Sequence, residues 1–214
     1  MKNNKRILLN IGMFLSYFIY QTIPIIIIAL YGANDINMVI TYLIYLIFVI
    51  FVYKKELKSD LNNIKISNIF KYIPIYLIGI ILMGLSNYYL GKITNMQIST
   101  NEETVRLLIQ KIPVYMCFSA CIFAPIVEEI IFRKTFKNIF KNKYVFIILS
   151  GLTFGFIHLD FTSININELL MIIPYIIMGL DFAYIYHKSN NILTTITLHA
   201  LHNLILLIIQ FIGG

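Results

Sequence analysis

Apolar and polar positions alternate along this chain in long blocks. Seven apolar runs stand out, at about Ile7 to Tyr31, Met38 to Tyr53, Tyr72 to Leu90, Ile112 into the 130s, Tyr144 to Leu159, Leu169 to Tyr186 and Ile192 to Ile212. Each approaches the ~20 residues that a helix needs to cross hydrocarbon, the shorter ones being extended by tyrosines suited to the headgroup level. The pattern predicts an all-α fold, a polytopic membrane helix bundle of seven transmembrane helices, or eight if Pro24 breaks the first run. Lys2, Lys5 and Arg6 ahead of that run give it the look of a signal peptide. It is longer than the roughly 7 to 15 residues of a signal core and lacks a small-residue cleavage site, so it reads as a retained span. Between runs, Asn62 to Lys71 and Asn101 to Lys111 read as short amphipathic or interfacial helices; Glu102 and Glu103 early and Lys111 late suit the dipole of the second. There is no internal repeat and no low-complexity linker.

Composition agrees: 59% of residues are hydrophobic and 13% charged, with a mean hydropathy of +0.80. These values place the chain among integral membrane proteins, with the lipid bilayer as its first partner. The formal charge of +7 does not indicate nucleic acid, because the basic residues sit in short clusters between apolar runs. Of the 17 lysines and arginines, fourteen fall at the amino terminus, Lys54 to Lys71, Arg133 to Lys143 and Lys188; only Lys92, Arg106 and Lys111 fall on the other side. That bias puts the amino terminus in the cytoplasm and the carboxyl terminus outside. Cys117 and Cys121, four apart in an apolar run, read as packing residues and do not make a disulfide framework.

The chemistry is concentrated in Pro125-Ile126-Val127-Glu128-Glu129-Ile130-Ile131-Phe132-Arg133. Charges in hydrocarbon are expensive, so they are expected to line a polar cavity or to be paired. Arg133, four residues after Glu129, shares its helical face and neutralises it. Glu128 points about 100° around the helix and needs a group from elsewhere. His158, Asp181, His199, His202 and Asn203 are the candidates.

With a helical hairpin turning near Asn142-Lys143, Glu128 and His158 each lie about fifteen residues from the turn, roughly 22 Å along antiparallel neighbours. His199 and Asn203, four apart on one face, enter from the same side, with His202 on the flank. Such groups also serve as glue between packed helices. Two carboxylates, an arginine, three histidines and an asparagine at one depth exceed what packing requires, and point to a functional site.

In such a cavity Glu128 can take a proton from a water held also by His158, while His199 and Asn203 donate to the oxyanion of a tetrahedral intermediate; Arg133 holds Glu129. A zinc site is the rival, with Glu128, His158 and His199 as three ligands, although the chain has no H-E-x-x-H.

At these positions the chain resembles the CPBP intramembrane proteases, the family of type II CAAX prenyl proteases and bacteriocin-processing (Abi) proteins. E-E-x-x-x-R stands as Glu128 to Arg133, F-x-x-x-H as Phe154 to His158 and H-x-x-x-N as His199 to Asn203. The resemblance covers about Ile112 to Leu206. It implies an intramembrane endopeptidase acting on a membrane-associated peptide or protein, with Glu128 and His158 activating water, His199 and Asn203 stabilising the oxyanion, and Glu129 and Arg133 supporting them. It also implies a metal-free hydrolase, with zinc as the alternative. On this reading residues 112–214 form the catalytic core and residues 1–111 carry membrane helices of accessory or gating role. Where relatives commonly carry a second glycine after Gly179, this chain has Ala183, and Asp181 between them reads as a core hydrogen bonder, with an added site acid as the alternative.

The Ile, Asn and Lys bias points to an AT-rich bacterial gene and hence to a bacterial plasma membrane. A non-catalytic bacteriocin-immunity or membrane binding protein would use the same helices without the proton chemistry. A proton-coupled transporter ranks last, since no repeat or pair of broken helices is present. The motifs imply no particular substrate sequence or oligomeric state.

Overall fold

The computed structural model describes residues 2–162 and 164–213. Each apolar run becomes a helix: α1 is Lys2–Tyr31, α2 Asp35–Asn63 and α3 Ile66–Thr94. The amphipathic α4, Thr100–Lys111, precedes α5, Pro113–Ile139; then come α6, Lys143–Phe156, α7, Ile166–Ser189, and α8, Ile192–Gly213. Among the described residues the architecture is all helical. Six of these helices are long and apolar enough to cross a membrane, and the seventh apolar one, α6, has 14 residues. The protein is an integral membrane bundle.

Boundaries follow from local chemistry. α1 runs through Pro24 without a break, so it stays one span; neighbouring helices in a bundle can absorb the lost hydrogen bond. Gly32, at φ 75, makes the left-handed turn that ends it, and Asn34 then caps α2 by accepting from the N–H groups of Ile36 and Asn37. Ser99 caps α4 through the Glu102 N–H, with Glu102 and Glu103 in the first turn and Lys111 in the last, as expected. The expected helix at Asn62 to Lys71 is not a separate element. Asn62 and Asn63 finish α2, Ile64 and Lys65 are extended, and Ile66 opens α3. Both helices run 29 residues, well past a ~30 Å hydrocarbon core, so their polar ends are carried by the spans themselves.

Side-chain contacts define two ends of the bundle. At one, Arg6 meets Glu56, Lys134 pairs with Asp60 at 2.5 Å, the Asn191 amide donates to the Asp60 carbonyl, and Lys137 donates to Asn190. This end collects the segments that hold most of the basic residues. At the other end, Asp35 accepts the Tyr115 N–H at the start of α5, and Glu168 accepts from the Thr100 N–H and hydroxyl.

Helices α6 and α7 pack backbone against backbone. A Cβ on Gly179 would lie 2.9 Å from the Gly151 carbonyl oxygen, and one on Gly151 would lie 2.9 Å from the Leu180 nitrogen. Only hydrogen fits at that crossing, the small-residue packing that membranes favour. It brings Phe154 of α6 and Phe182 of α7 over the inner face of α5. An aromatic core of Tyr17, Tyr20, Tyr42, Tyr45, Phe123 and Phe132 locks α1 and α2 onto α5 from the other side.

Candidate active site

Two stretches of α5 are wound as π-helix, Ser119–Phe123 and Glu129–Thr135, and they flank Glu128. Such windings concentrate at functional sites because they re-aim side chains without ending the helix. The two carboxylates themselves sit on ordinary helical backbone, φ −67, ψ −40 at Glu128 and φ −65, ψ −38 at Glu129. His199 of α8 stands between them: its Nδ1 is 2.9 Å from Glu129 Oε1 and its Nε2 3.9 Å from Glu128 Oε2. The partners expected from the sequence are present, Arg133 beside Glu129 and a group from another helix beside Glu128; what the sequence does not show is that the same imidazole also contacts Glu129.

Glu129 and Arg133 are fully buried, and Glu129 Oε2 lies 3.3 Å from Arg133 Nε. The contact is an ion pair without the alignment of a hydrogen bond. The guanidinium carbon sits 4.2 Å from the centre of the Phe154 ring and 5.7 Å from that of Phe182. Arg133 therefore has a carboxylate at one edge and aromatic faces around it, while its nitrogens make no hydrogen bond among the described residues. Glu128 differs: its side chain keeps 12% of its surface exposed, so it is the carboxylate that a small molecule can reach.

His158 sits two residues beyond the last residue of α6, in a turn closed by its N–H on the Gly155 carbonyl. Its Nδ1 is 2.8 Å from the Phe154 carbonyl oxygen. A carbonyl only accepts, so Nδ1 carries the proton and a neutral ring has its lone pair on Nε2. Phe154, the aromatic of the F-x-x-x-H spacing, joins the two histidines, with ring centres 5.0 Å from His158 and 5.9 Å from His199; Phe182 stacks on His199 at 5.1 Å.

Asn203, one turn beyond His199, donates from Nδ2 to the Ala120 carbonyl at 2.9 Å. His202 turns to the flank, as expected, with Nδ1 3.2 Å from the Tyr76 hydroxyl. Asp181 faces Gly79 of α3, where a Cβ would lie 2.8 Å from Oδ2. That oxygen is buried with no hydrogen-bond partner among the described residues, so Asp181 is not the core hydrogen bonder that the sequence suggests. Cys117 is exposed and Cys121 half-buried, both as free thiols.

Several participants have no signal of their own in the sequence. Tyr17 of α1 meets the Glu128 carboxylate, and Tyr175 of α7 stacks on His158 at 4.2 Å. In a chain with 15 tyrosines these look like interfacial anchors. Among the described residues no group of three His, Cys, Asp or Glu side chains is gathered closely enough to hold a metal ion.

A family model described as "Type II CAAX prenyl endopeptidase Rce1-like" matches residues 110–205. The matched segment is similar to that family. It runs from the end of α4 into α8 and holds all three motifs, whereas α1 to α3 lie outside the Rce1-like match. Among curated proteins, the chain is similar to the putative membrane peptidase YdiL of Bacillus subtilis, 32% identical over 115 residues, 52% of this chain and 43% of that one. The membrane-embedded CAAX protease MroQ of Staphylococcus aureus is 30% identical over 126 residues, 55% of this chain and 47% of that one. The UPF0177 protein YxdF of Lactococcus lactis is 25% identical over 155 residues, 69% of this chain and 80% of that one. The chain thus spans less than half the length of YdiL and of MroQ. No solved structure matches.

Proposed function

We propose that the protein is an intramembrane endopeptidase that hydrolyses a peptide bond of a membrane-associated peptide or protein. The observation that carries this reading is the position of Glu128: a reachable carboxylate inside a membrane-crossing helix, 3.9 Å from an imidazole whose other nitrogen is held by Glu129. Packing alone gives no reason to keep a charge reachable at that depth.

In this scheme Glu128 and His158 draw the proton from a water molecule, and the water oxygen bonds to the scissile carbonyl carbon. The carbonyl oxygen becomes an oxyanion, met by the Nε2 side of His199 when that nitrogen is protonated and by the second Nδ2 hydrogen of Asn203, the first being on Ala120. The C–N bond then breaks and Glu128 passes its proton to the departing amine. Glu129 and Arg133 hold His199 in place.

Residues 112–214 are on this reading the catalytic core, and residues 1–111 wall and gate it, with Tyr17 reaching Glu128. The bacterial relatives support a bacterial plasma membrane, and the lysine and arginine bias supports a cytoplasmic amino terminus.

The test is to express the wild type and Glu128→Gln in the same host and compare membrane and secreted peptides by mass spectrometry. Products unique to the wild type are expected. Identical peptide profiles, together with a phenotype that survives Glu128→Gln, would replace the enzyme with a non-catalytic binding or immunity protein.

A further inference from the structure

His199 is carried in mid-helix on α8, whereas His158 stands on a turn past the end of α6 and has no helical backbone to fix it. Two contacts hold its ring. The Phe154 carbonyl takes the Nδ1 proton, which sets the tautomer but leaves the ring able to pivot about that bond. The Tyr175 ring lies against it, centre to centre 4.2 Å and only 16° from parallel, which sets the plane.

Tyr175 is in turn fixed from a distance. Its hydroxyl lies 3.5 Å from Ser99 Oγ and 3.3 Å from Asn101 Nδ2, both at the start of α4. That start is itself pinned, since Glu168, only 2% exposed, accepts the Thr100 N–H at 3.2 Å and also the Thr100 hydroxyl. A charged side chain at that level of burial is a costly fastening for a surface helix, unless the position of residues 99 to 101 matters. The far side of α4 is exposed, with Arg106 and Glu102 paired in the open.

We propose that Tyr175 is a positioning residue for His158, and that the first turn of α4 sets the plane of the His158 ring through the Tyr175 hydroxyl. The inference rests on the peptidase reading for its consequence and on the stacking geometry for its substance. Tyr175 touches neither the Glu128 carboxylate nor the scissile bond; it decides where His158 Nε2 points. Two neighbours make the assignment specific. Phe154 touches His158 as well, at 5.0 Å and 52°, but the tilt of that pair fixes no plane. Tyr76 and His202 pair at 86°, edge to face, and belong to the α3 seam.

The experiment uses the full chain in detergent micelles with its histidines labelled at Cε1 with carbon-13. Four histidines give four signals, and His158→Gln assigns one of them. Tyr175→Leu is expected to move the His158 signal alone, because the ring current of the stacked tyrosine is lost, while Tyr175→Phe, which keeps the ring but frees it from α4, moves it by a smaller, measurable amount. Turnover is read on the peptide that distinguishes wild type from Glu128→Gln. Tyr175→Leu is expected to lower kcat by about tenfold or more with KM little changed, as a misdirected catalytic group does. Tyr175→Phe and Asn101→Ala should each cost about threefold, and together no more than either alone, because they cut one chain of contacts.

An unmoved His158 signal in Tyr175→Leu would overturn the proposal, as would a full kcat in that variant or a change confined to KM. The thermal melt of Tyr175→Phe guards against misfolding as the cause. If the wild type cleaves no peptide, the peptidase reading fails and the histidine spectrum alone decides whether Tyr175 holds His158.

Discussion

Asn203 of α8 donates its side-chain amide to the main-chain carbonyl of Ala120 in α5, 2.9 Å away and inside the membrane. The bond exists because of a proline. In the π-wound turn Ser119–Phe123 the Ala124 N–H reaches back to the Ser119 carbonyl, one residue further than in an α-helix. Ala120 would by the same pattern take the N–H of residue 125, but Pro125 has none. A buried carbonyl without a partner is costly, and Asn203 supplies the donor. The residue that the proposal aims at the oxyanion is thus pinned by a gap in the helix that carries Glu128.

Pro125→Ala should therefore lower turnover while sparing or raising stability. The new N–H can satisfy Ala120, the helix loses a residue that costs ~3 kcal/mol in a regular interior, and Asn203 is set free. Thermal melts in detergent beside turnover would check this; a variant that keeps full activity would contradict it. Asn203→Leu should destabilise by about 1–3 kcal/mol, the cost of an orphaned buried carbonyl.

Arg133→Met alone strands Glu129 in a site with no exposed surface and should cost about 3–5 kcal/mol. The double variant Arg133→Met, Glu129→Gln should recover most of that loss, since it removes both charges. Denaturation of all four forms of the double-mutant cycle measures the coupling. Equal destabilisation by the single and double variants would show that the pair is not the reason Arg133 is buried.

Gly179→Ala drives a methyl to within 3.0 Å of Phe154 Cβ and 2.9 Å of the Gly151 carbonyl, both close to backbone that cannot yield. It should force α6 and α7 apart, lower the melting temperature and displace Phe154 from Arg133. Gly12→Ala, with nothing within 4 Å, is the control: it should leave activity alone and gain up to about 1 kcal/mol of helix stability.

In a form lacking Cys117 and Cys121, a cysteine at exposed Lys141 should react with an impermeant maleimide only in inside-out vesicles. The side holding fourteen of the 17 basic residues, that turn included, is expected to face the cytoplasm. Labelling in intact cells would reverse the topology.

Much of this arrangement is legible from residue type and spacing. The seven apolar runs, the hairpin near Asn142 and the amphipathic α4 follow from hydropathy and caps, and charges in hydrocarbon single out Glu128, Glu129, Arg133 and His199 as a cluster. What escapes depends on atoms that periodicity does not encode. The approach of both carboxylates to His199 depends on where α8 crosses α5, and Asn203 meets Ala120 because Pro125, two residues past the winding Ser119–Phe123, leaves that carbonyl without its N–H. Tyr17 and Tyr175 are indistinguishable in sequence from tyrosines that mark the membrane surface. The turn at Ile64-Lys65 is hidden because α2 and α3 carry polar ends far beyond the lipid, so a junction between two long helices resembles a short third one.

The account stands on Glu128 delivering water to a peptide bond within the bilayer. The direct measurement is to reconstitute the protein in lipid vesicles with the peptide that wild-type expression consumes, and to run the reaction in water enriched in oxygen-18. The account predicts one heavy oxygen in the new carboxyl terminus of each product made by the wild type, and no product from Glu128→Gln. Product formed at an undiminished rate by Glu128→Gln, or carrying no heavy oxygen, would contradict it.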